Sequence, residues 1–495
     1  MSDIVVIGGG ALGTSIARDA ALRGLSVALF EQEDFGSGAT ARGPRVLSAG
    51  LHALETLDFT RVREHLHERE TLLQIAPHLV FPLPCLIPFY DSSLLVQARL
   101  RASLALTDAL EFDKSLPLHQ ILSAAEARER EPSLCAAGLA GAALVWEARV
   151  PDPERLALDT ALGARASGAS LHSHTRIDSL RHRGVLRGRG RVDGVRWTDT
   201  LSGDGGETTA SLVINATGAF LSEIGSPLAE LTGVRHMRRK CVSVAVPKLR
   251  GGREALLFPR DGDGGLVSVV PWQNLSLIGT LETAADTQVP EMPYAAGHEV
   301  ADLLRPLREF LSGVDWEQPV LALAGVRLSP PFPGPPALPD THLPLLVDHA
   351  SSGGLDGLVS VAGGTLLSCR SLAEEVVDLA CRKLGRALST PSCRTASVPL
   401  PGAAAPFAAP DIIPGADAAL RAAVTLSVAQ KECRTLCDFI ERRSPLFWAP
   451  DQGRSAVPVV VETMAALLGW DAARQEREER AWEADAALTQ AFRVL

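Results

Sequence analysis

The chain of 495 residues lacks any long run of basic residues. Its formal net charge is -10 and its isoelectric point is about 5.7. The densest cationic cluster, Arg238-Arg239-Lys240, is only three residues long. Because nucleic-acid binding depends on neutralising phosphates with lysine and arginine, this charge distribution argues against a nucleic-acid partner.

Long apolar runs are also missing. No stretch of about 18 consecutive apolar residues occurs, so the sequence offers no candidate for a membrane-spanning helix. The apolar run from Ile4 to Ile7 leads directly into glycines, without the basic segment and cleavage site of a secretory signal. We therefore expect a cytoplasmic protein and leave peripheral contact with a membrane open.

Cysteine patterns typical of metal sites or disulfide frameworks do not occur. The eight cysteines are scattered, with no Cys-x-x-Cys pair and no cysteine–histidine spacing suited to zinc. Cys433 and Cys437 are four residues apart on a predicted helix, which is more typical of two small core side chains than of a metal or redox site. The sequence thus indicates reduced thiols and no bound metal.

What the chain does contain is the composition of an ordinary globular enzyme, with 46% hydrophobic and 21% charged residues. Its length predicts two or three packed domains. The opening reads as β-α-β: an apolar strand from Asp3 to Ile7, a helix that Gly24 ends, and a second strand from Leu25 to Phe30. A short, continuous apolar strand is typical of a parallel sheet buried on both faces.

The rest of the chain divides by its hydrophobic patterns. Residues 56–75 have the spacing of an amphipathic helix, and residues 86–150 read as largely helical after several prolines. Apolar residues alternate from Arg238 to Thr280, as in an antiparallel sheet with one solvated face. Stretches rich in proline, Ser329 to Pro339 and Pro399 to Pro414, predict a long connection and a linker to a final helical domain.

One motif in the opening segment carries chemistry. Gly8-x-Gly10-x-x-Gly13 follows the first strand and begins a helix, and Glu31 ends the second strand. Such glycines permit a tight turn, close approach of a pyrophosphate and close packing of the helix, while the helix N-terminus presents free N–H groups to the anion. A carboxylate at Glu31 would accept hydrogen bonds from ribose hydroxyls. Together these features predict a dinucleotide site but do not by themselves distinguish FAD from NAD.

Further segments decide between the two cofactors by resemblance. The chain resembles the FAD-dependent glycerol-3-phosphate dehydrogenase/oxidase family over nearly its whole length. The segments that carry the resemblance include Gly38-Ala-Thr-Ala-Arg42, Asn215-Ala-Thr-Gly218, Pro271-Trp272, Ile278-Gly-Thr280, Gly325-Val-Arg327, Val361-Ala-Gly-Gly364, Arg434-Thr-Leu-Cys-Asp438 and Arg442-Arg443.

The resemblance implies an α/β fold with an FAD-binding Rossmann-like domain of the glutathione-reductase/D-amino-acid-oxidase type. An antiparallel-sheet substrate domain and a C-terminal helical domain would complete the chain. The expected limits are residues 1–85, 150–225 and 325–395 for the FAD domain, 86–149 and 226–324 for the substrate domain, and 396–495 for the helical domain.

The cofactor half of the family pattern is retained. The resemblance places Ala39, Thr40 and Arg42 along the pyrophosphate and the flavin, and Ile177 at the adenine through its backbone. It places Ala216 to Gly218 against the dinucleotide, and Gly364 and Thr365 at the reactive edge of the flavin ring. The full set of expected FAD contacts is Gly8, Gly10, Ala11, Leu12, Gly13, Glu31, Ala39, Thr40, Arg42, Ile177, Ala216, Thr217, Gly218, Gly364 and Thr365.

The substrate half departs from that pattern. Where the family has a histidine, a histidine and a lysine, this chain has Ser48, Ser243 and Thr365, and an arginine of the family is replaced by His52. Lys240 and Arg327 remain as cations. A phosphate dianion needs several fixed cations and N–H donors, and hydride transfer from a carbinol needs a proton acceptor. The candidate catalytic residues are therefore Arg327, His52, Ser48, Ser243 and Lys240, although each of His52, Arg327 and Lys240 also has a purely structural interpretation.

Two functional hypotheses follow from different classes. The first is an FAD-dependent dehydrogenase or oxidase that oxidises a C–OH group of a small polar substrate, and that passes electrons to a quinone, oxygen or another acceptor. Glycerol 3-phosphate is the substrate that the resemblance implies, and a hydroxy compound of lower charge, or an amine or hydroxy acid of specialised metabolism, is the alternative. The second is a catalytically silent FAD-binding subunit. A homodimer is compatible with either hypothesis.

Overall fold

The computed structural model describes residues 1–43, 45–48, 59–90, 94–110, 114–186, 189–224, 237–248, 253–259, 266–284, 293–314, 316, 319–329, 344–403 and 417–494. The strands are β1 Ser2–Ile7, β2 Val27–Phe30, β3 Val46–Leu47, β4 Phe81–Tyr90, β5 Gln120–Ser123, β6 Leu139–Arg149, β7 Ser170–His172, β8 Thr175–Leu186, β9 Arg189–Asp199, β10 Gly205–Asn215, β11 Met237–Pro247, β12 Ala255–Pro259, β13 Leu266–Trp272, β14 Leu275–Ala284, β15 Leu321–Ser329, β16 Leu345–Asp348, β17 Leu355–Asp356 and β18 Leu358–Ala362.

The α-helices are α1 Ala11–Leu22, α2 Phe59–Ile75, α3 Leu94–Leu110, α4 Ala124–Arg130, α5 Pro153–Ala166, α6 Gly297–Leu304, α7 Leu307–Phe310, α8 His349–Gly353, α9 Cys369–Lys383, α10 Asp417–Gln430, α11 Val457–Leu468 and α12 Ala472–Leu488. A π-helix, Asp438–Arg443, lies between α10 and α11. Among the residues that the structure describes, no helix combines the length and apolar character needed to cross a membrane.

The first of two sheets is mainly parallel. Its strands lie in the order β16-β18-β10-β1-β2-β7, and all neighbours except β16 and β18 run parallel. Ile4, Val5 and Val6 are fully buried because α1, α5 and α9 cover one face and the hairpin of β8 and β9 covers the other. The β-α-β prediction, with a strand buried on both faces, is confirmed.

A second sheet lies in the order β15-β11-β14-β13-β12-β4-β6-β3, with β5 paired to β6. One face packs Val242, Val244 and their neighbours against α6 and α7. The other face packs Ala245, Leu277 and their neighbours against the C-terminal helices. The alternation that predicted one solvated face instead reflects two differently covered faces.

The expectation of largely helical structure over residues 86–150 is wrong. Among the residues of this stretch that the structure describes, only α3 and α4 are helical, while β4, β5 and β6 pair as antiparallel strands. Pro82, Pro84 and Pro88 are an even number of residues apart in β4, so the N–H groups that they lack would all point to the same edge of the strand. Proline is tolerated inside β4 because that edge is the one that does not face β6. The expected domain limits at residues 85 and 325 fall inside β4 and β15, which both belong to the second sheet.

The proline-rich connection and the linker lie mostly outside the described residues, at 330–343 and 404–416. Beyond them, the C-terminal helices contact both sheets. Phe439 is fully buried against the second sheet, and the carboxylate of Asp438 lies 3.0 Å from Nε2 of His174, in the turn between β7 and β8. The C-terminal domain therefore packs against elements of both sheets.

The His174–Asp438 pair predicts a pH-dependent contribution to stability. Burial is the largest single effect and lowers the pKa of His174, but the carboxylates of Asp438, Asp34 and Glu33 together outweigh it and raise that pKa above the ordinary 6.5. A raised histidine pKa stabilises the fold fully below pH 6.5, and this contribution disappears as the pH rises through the folded-state pKa. Asp438, whose pKa is well below 3.8, stays ionised throughout this range.

We expect His174→Gln to lower the free energy of unfolding by about 1–3 kcal/mol below pH 6.5, and by progressively less at alkaline pH. Urea denaturation at a series of pH values measures the difference. The exposed His182, on β8, provides the matched control, and His182→Gln should leave the pH profile unchanged. A constant difference between wild type and His174→Gln across the pH series would contradict the pairing.

Candidate functional site

Four parallel strands end at the same edge of the first sheet. The chain leaves β1 into the glycine turn, β2 into Glu31, β10 into Ala216 and β18 into Gly363. The carboxyl edge of an open parallel sheet is where such folds bind ligands, because the strand ends and helix N-termini open onto one crevice. The expected cofactor residues of all four segments therefore lie along one edge.

The glycine turn between β1 and α1 has no room for side chains. Gly8 has a φ of +102°, and a Cβ atom there would lie 2.6 Å from the carbonyl oxygen of Ala216. A Cβ at Gly13 would collide with the carbonyl oxygen of Gly8. Since β1, α1 and the end of β10 approach at backbone contact, the crevice beside them admits a ligand close to the main chain.

The N-terminus of α1 points into this crevice. Gly10 occupies the N-cap position and makes no side-chain capping bond, while the N–H of Ala11 donates to Oγ1 of Thr40 at 3.1 Å. Leu12 begins the same turn and is half-buried. The free N–H groups and the positive end of the helix dipole suit a pyrophosphate.

Glu31 closes the adjacent part of the crevice. Its carboxylate accepts hydrogen bonds from the N–H groups of Gly9 at 2.6 Å and Glu33 at 3.0 Å, and burial raises its pKa. Ile177, on β8, is buried and packs in the same cluster as Phe30, the last residue of β2. The structure thus brings Glu31 and Ile177 to the same end of the crevice, where the expected ribose and adenine would lie.

The other two segments approach from β10 and β18. The N–H of Ala216 donates to the carbonyl of Ile7 at 2.8 Å, and Thr217 donates through Oγ1 to Asn215 at 2.7 Å, which leaves Gly218 exposed. After β18, Gly364 has a φ of +73°, and the N–H of Thr365 donates to Oγ of Ser368 at 2.9 Å. Both segments are fixed by their own hydrogen bonds.

A segment after β2 connects the crevice to the second sheet. Ala39 and Arg42 pack on Gly325 of β15, where a Cβ atom would lie 2.8 Å from Cβ of Arg42. Further along, the Arg45 guanidinium lies 5.3 Å from the ring of Trp272 and 4.8 Å from that of Trp448. This segment therefore lies against the face of the second sheet that the C-terminal helices share.

Arg327 and Lys240, the two retained cations, lie on opposite faces of the second sheet. Arg327 forms a two-bond ion pair with Glu282 on the face that Arg42 contacts. Lys240 points to the other face, where its Nζ lies 2.6 Å from the Glu299 carboxylate of α6. The two residues do not converge on one site, because neighbouring strand positions alternate between the faces.

The remaining substrate-site candidates are more scattered. Ser243 lies on the same face as Arg327, and its hydroxyl would contact a Cβ at Gly279. Ser48 lies at the far edge, with Oγ 3.5 Å from Glu147, whose other oxygen is 2.7 Å from Nη1 of Arg69. His52 lies outside the described residues.

Two of the expected site residues carry a buried hydroxyl group: Thr365 after β18, and Ser243 on β11 of the second sheet. Neither side-chain oxygen has a hydrogen-bond partner among the described residues. A buried hydroxyl without a partner costs free energy, so such groups are expected to bond to a ligand or water. At the carboxyl edge of the first sheet, the glycine turn and Glu31 have the features to hold a dinucleotide.

Sequence reasoning missed three groups at this site: Glu282, Arg45 and Glu147. Glu282 follows the Ile278-Gly-Thr280 segment by two residues, and antiparallel pairing with β11 would have placed it near Arg327. Arg45 and Glu147 carried no signal, since each depends on contacts between distant segments.

Comparisons with known proteins agree with this geometry. Residues 3–370 match the model of the FAD dependent oxidoreductase family, and residues 409–475 match the C-terminal domain of alpha-glycerophosphate oxidase. The chain belongs to the FAD-dependent oxidoreductases. FAD is therefore the cofactor of this family member, and the crevice at the carboxyl edge of the first sheet has the features to hold it.

Individual relatives narrow the family. The chain is 33% identical to a glycerol-3-phosphate dehydrogenase of Synechocystis over 416 residues, which cover 81% of this chain and 74% of that protein. It is 32% identical to the human mitochondrial glycerol-3-phosphate dehydrogenase over 390 residues, 76% of this chain and about half (52%) of the relative.

A solved glycerol-3-phosphate dehydrogenase of Bacillus halodurans, complexed with FAD, has the same fold. It superposes with a TM-score of 0.75 over 99% of this chain and 95% of its own, at 22% identity. The expected fold, with an FAD-binding domain, a second sheet and a C-terminal helical domain, is confirmed. This FAD-dependent oxidoreductase resembles the glycerol-3-phosphate dehydrogenases.

The glycine turn gives a direct test of the cofactor site. We expect Gly13→Ala to purify with less than about a tenth of the wild-type flavin, because the new methyl group must displace the Gly8 carbonyl and with it the turn. The ratio of flavin absorbance to protein absorbance measures this. Gly205→Ala is the matched control, since Gly205 lies exposed at the start of β10, away from the crevice, and a Cβ there would meet its nearest atom, the carbonyl oxygen of Trp197, at 3.5 Å. Full flavin content in Gly13→Ala would exclude this crevice as the FAD site.

Proposed function

We propose that this FAD-dependent oxidoreductase oxidises a C–OH group of a small polar substrate held between the carboxyl edge of the first sheet and the second sheet. The observation that carries the proposal is the position of Arg327 and Ser243 on the face of the second sheet that the Arg42 segment contacts. The relatives, all glycerol-3-phosphate dehydrogenases by name, support oxidation of a hydroxy compound.

The chain's own residues would bind and orient this substrate. FAD, when bound, supplies the hydride acceptor of the reaction. The hydroxyl of Ser243 can donate to or accept from a substrate oxygen, and the Arg327 guanidinium can donate to a carboxylate or hydroxyl. Gly364 and Thr365 would lie at the reactive edge of the ring, where the Thr365 hydroxyl offers a further hydrogen bond.

The proton of the substrate hydroxyl also needs an acceptor. Ser48, at the edge of the second sheet, is one candidate, because its hydroxyl lies 3.5 Å from Glu147 and could take up the proton while giving its own to that carboxylate. His52 is the other candidate, because it lies four residues after Ser48 in the sequence and an imidazole can accept a proton. Lys240 is not included in the proposed site, since its ammonium group pairs with Glu299 on the other face.

The charge balance favours a substrate with less negative charge than a phosphate dianion. Arg327 already shares its guanidinium with the Glu282 carboxylate, so the pair is close to neutral. Desolvating two negative charges beside a neutral pair is costly. A hydroxy acid or a neutral polar alcohol therefore fits the described residues better, and glycerol 3-phosphate stands as the competing substrate.

The electron acceptor, the assembly state and the location are part of the same proposal. We infer that electrons pass from the reduced cofactor to a quinone, oxygen or another acceptor. A cytoplasmic protein, with or without peripheral contact to a membrane, and a homodimer are both compatible with the chain.

A panel of substrates tests the reaction. Under anaerobic conditions we expect hydroxy acids or uncharged polyols to bleach the visible absorbance of the bound flavin, and glycerol 3-phosphate to do so at higher concentration or not at all. Bleaching by glycerol 3-phosphate at the lowest concentration of the panel would restore the substrate of the relatives. A flavin that no member reduces would support the silent-subunit hypothesis instead.

Substitution of Arg327 tests the site. We expect Arg327→Ala to raise the substrate concentration for half-maximal flavin reduction by tenfold or more, because about 1.5–3 kcal/mol of charged hydrogen bonding is lost. Flavin content should stay at the wild-type level. Arg130→Ala is the matched control, since Arg130 also pairs with a glutamate, Glu254, but on the far helix α4. Equal half-saturation in wild type and Arg327→Ala would place the substrate elsewhere.

A further inference from the structure

The loop that follows β2 contains a fully buried carboxylate. Asp34 has no exposed surface, and it lies three residues after Glu31. Such a carboxylate requires compensating donors, because burying an isolated charge is very unfavourable. The N–H of Phe35 donates to Oδ1 at 2.8 Å, and the charged donors come from the far end of the chain, more than four hundred residues away.

Two consecutive arginines of the C-terminal domain supply these donors. Nε of Arg442 donates to Asp34 Oδ2 at 2.6 Å, and Nη1 and Nη2 of Arg443 donate to the two carboxylate oxygens at 2.5 and 2.7 Å. The Arg443 guanidinium also donates to the carbonyl of Lys431 at 2.8 and 3.0 Å. Arg443 is fully buried, so its fork is held in one orientation.

A second buried acid, Asp438, contacts one of these arginines, Arg442. Asp438 contacts Nη2 of Arg442 at 3.1 Å and Nε2 of His174 at 3.0 Å. It also accepts hydrogen bonds from the N–H groups of Arg434 and Thr435 at 2.8 and 3.0 Å. The group of Asp34, His174, Asp438, Arg442 and Arg443 is referred to below as the Asp34 cluster.

The loop that carries Asp34 also builds the FAD crevice. The N–H of Gly36 donates to the carbonyl of Gly9 at 3.0 Å, and the ring of Phe35 lies where a Cβ at Gly9 would be. In return, the N–H of Gly9 donates to Glu31 at 2.6 Å. Residues 31–36 and the glycine turn therefore hold one another, and Asp34 lies in the middle of that loop.

We propose that the C-terminal helical domain is a structural part of the adenosine end of the FAD site, with Arg442 and Arg443 acting as positioning residues for the loop of Glu31. The Asp34 cluster fixes residues 31–36, and this loop fixes the glutamate that faces the ribose. Because coupling between binding and docking is reciprocal, FAD binding also strengthens docking of the C-terminal domain. The inference concerns cofactor binding and holds for any substrate.

The test uses Arg443→Lys, which keeps the charge but loses the fork that bridges both oxygens of Asp34. FAD and ADP are titrated separately into the full-length chain freed of flavin, with ADP as a probe of the adenosine half. We expect both dissociation constants to rise by about tenfold or more, and by the same factor, because the lost interaction acts on the half that both ligands share.

Two further variants keep the test decisive. Arg421→Lys alters an exposed arginine of the same domain that pairs with Glu462, and it should leave both constants unchanged. Arg442→Lys loses a single bond to Asp34 and replaces Arg443→Lys should that variant fail to fold. Unchanged FAD and ADP binding together with a lower unfolding midpoint would show that the arginines serve docking alone, and weaker FAD binding with normal ADP binding would also overturn the proposal.

Discussion

The structure depends on the contact between the carbonyl oxygen of Gly8 and the backbone of Gly13. That contact allows α1 to begin directly against the end of β1, and the carbonyl of Ala216 closes the same gap from the side of β10. With three main-chain segments this close, the N-terminus of α1 is aimed at a narrow crevice rather than at open solvent. A helix N-terminus attracts anions, so this packing favours the crevice as the place for the pyrophosphate of FAD.

One face of the second sheet packs on the C-terminal domain at one end of its strands and carries polar side chains at the other end. At one end of the strands, Ala245, Leu277 and Leu321 pack in the same apolar cluster as Phe439 and Trp448 of the C-terminal domain. At the other end, the same face changes to Ser243, Glu282 and Arg327. The apolar half is covered by the C-terminal helices, and the polar half holds two residues of the proposed substrate site, Ser243 and Arg327. The division along each strand thus separates docking from chemistry.

The sequence was sufficient for those features that depend on local pattern. The strand from Asp3 to Ile7, the glycine turn and Glu31 could be predicted because each property repeats within a few residues. Lys240 could not be placed, since the choice between two sheet faces depends on which strand pairs with β11. The strands β4 and β6 were missed because buried small residues and prolines carry no periodicity. The burial of Asp34 could not be predicted, since its partners lie at residues 442 and 443. Contacts between distant segments set these outcomes, and one sequence does not contain their pairing.

The pair of Arg327 and Glu282 bears on the charge that this part of the second sheet offers to a ligand. The Arg327 guanidinium carries five N–H groups, so a side chain of this type can orient an oxygen atom as well as carry charge. It offers little net positive charge, however, because Glu282 cancels it at hydrogen-bond distance. At this position, the ability of Arg327 to orient a ligand by hydrogen bonds is therefore separate from its ability to neutralise the negative charge of that ligand. With Thr365 adding a hydroxyl group where the family pattern has a lysine, the proposed site offers hydrogen bonds to a polar substrate in place of positive charge.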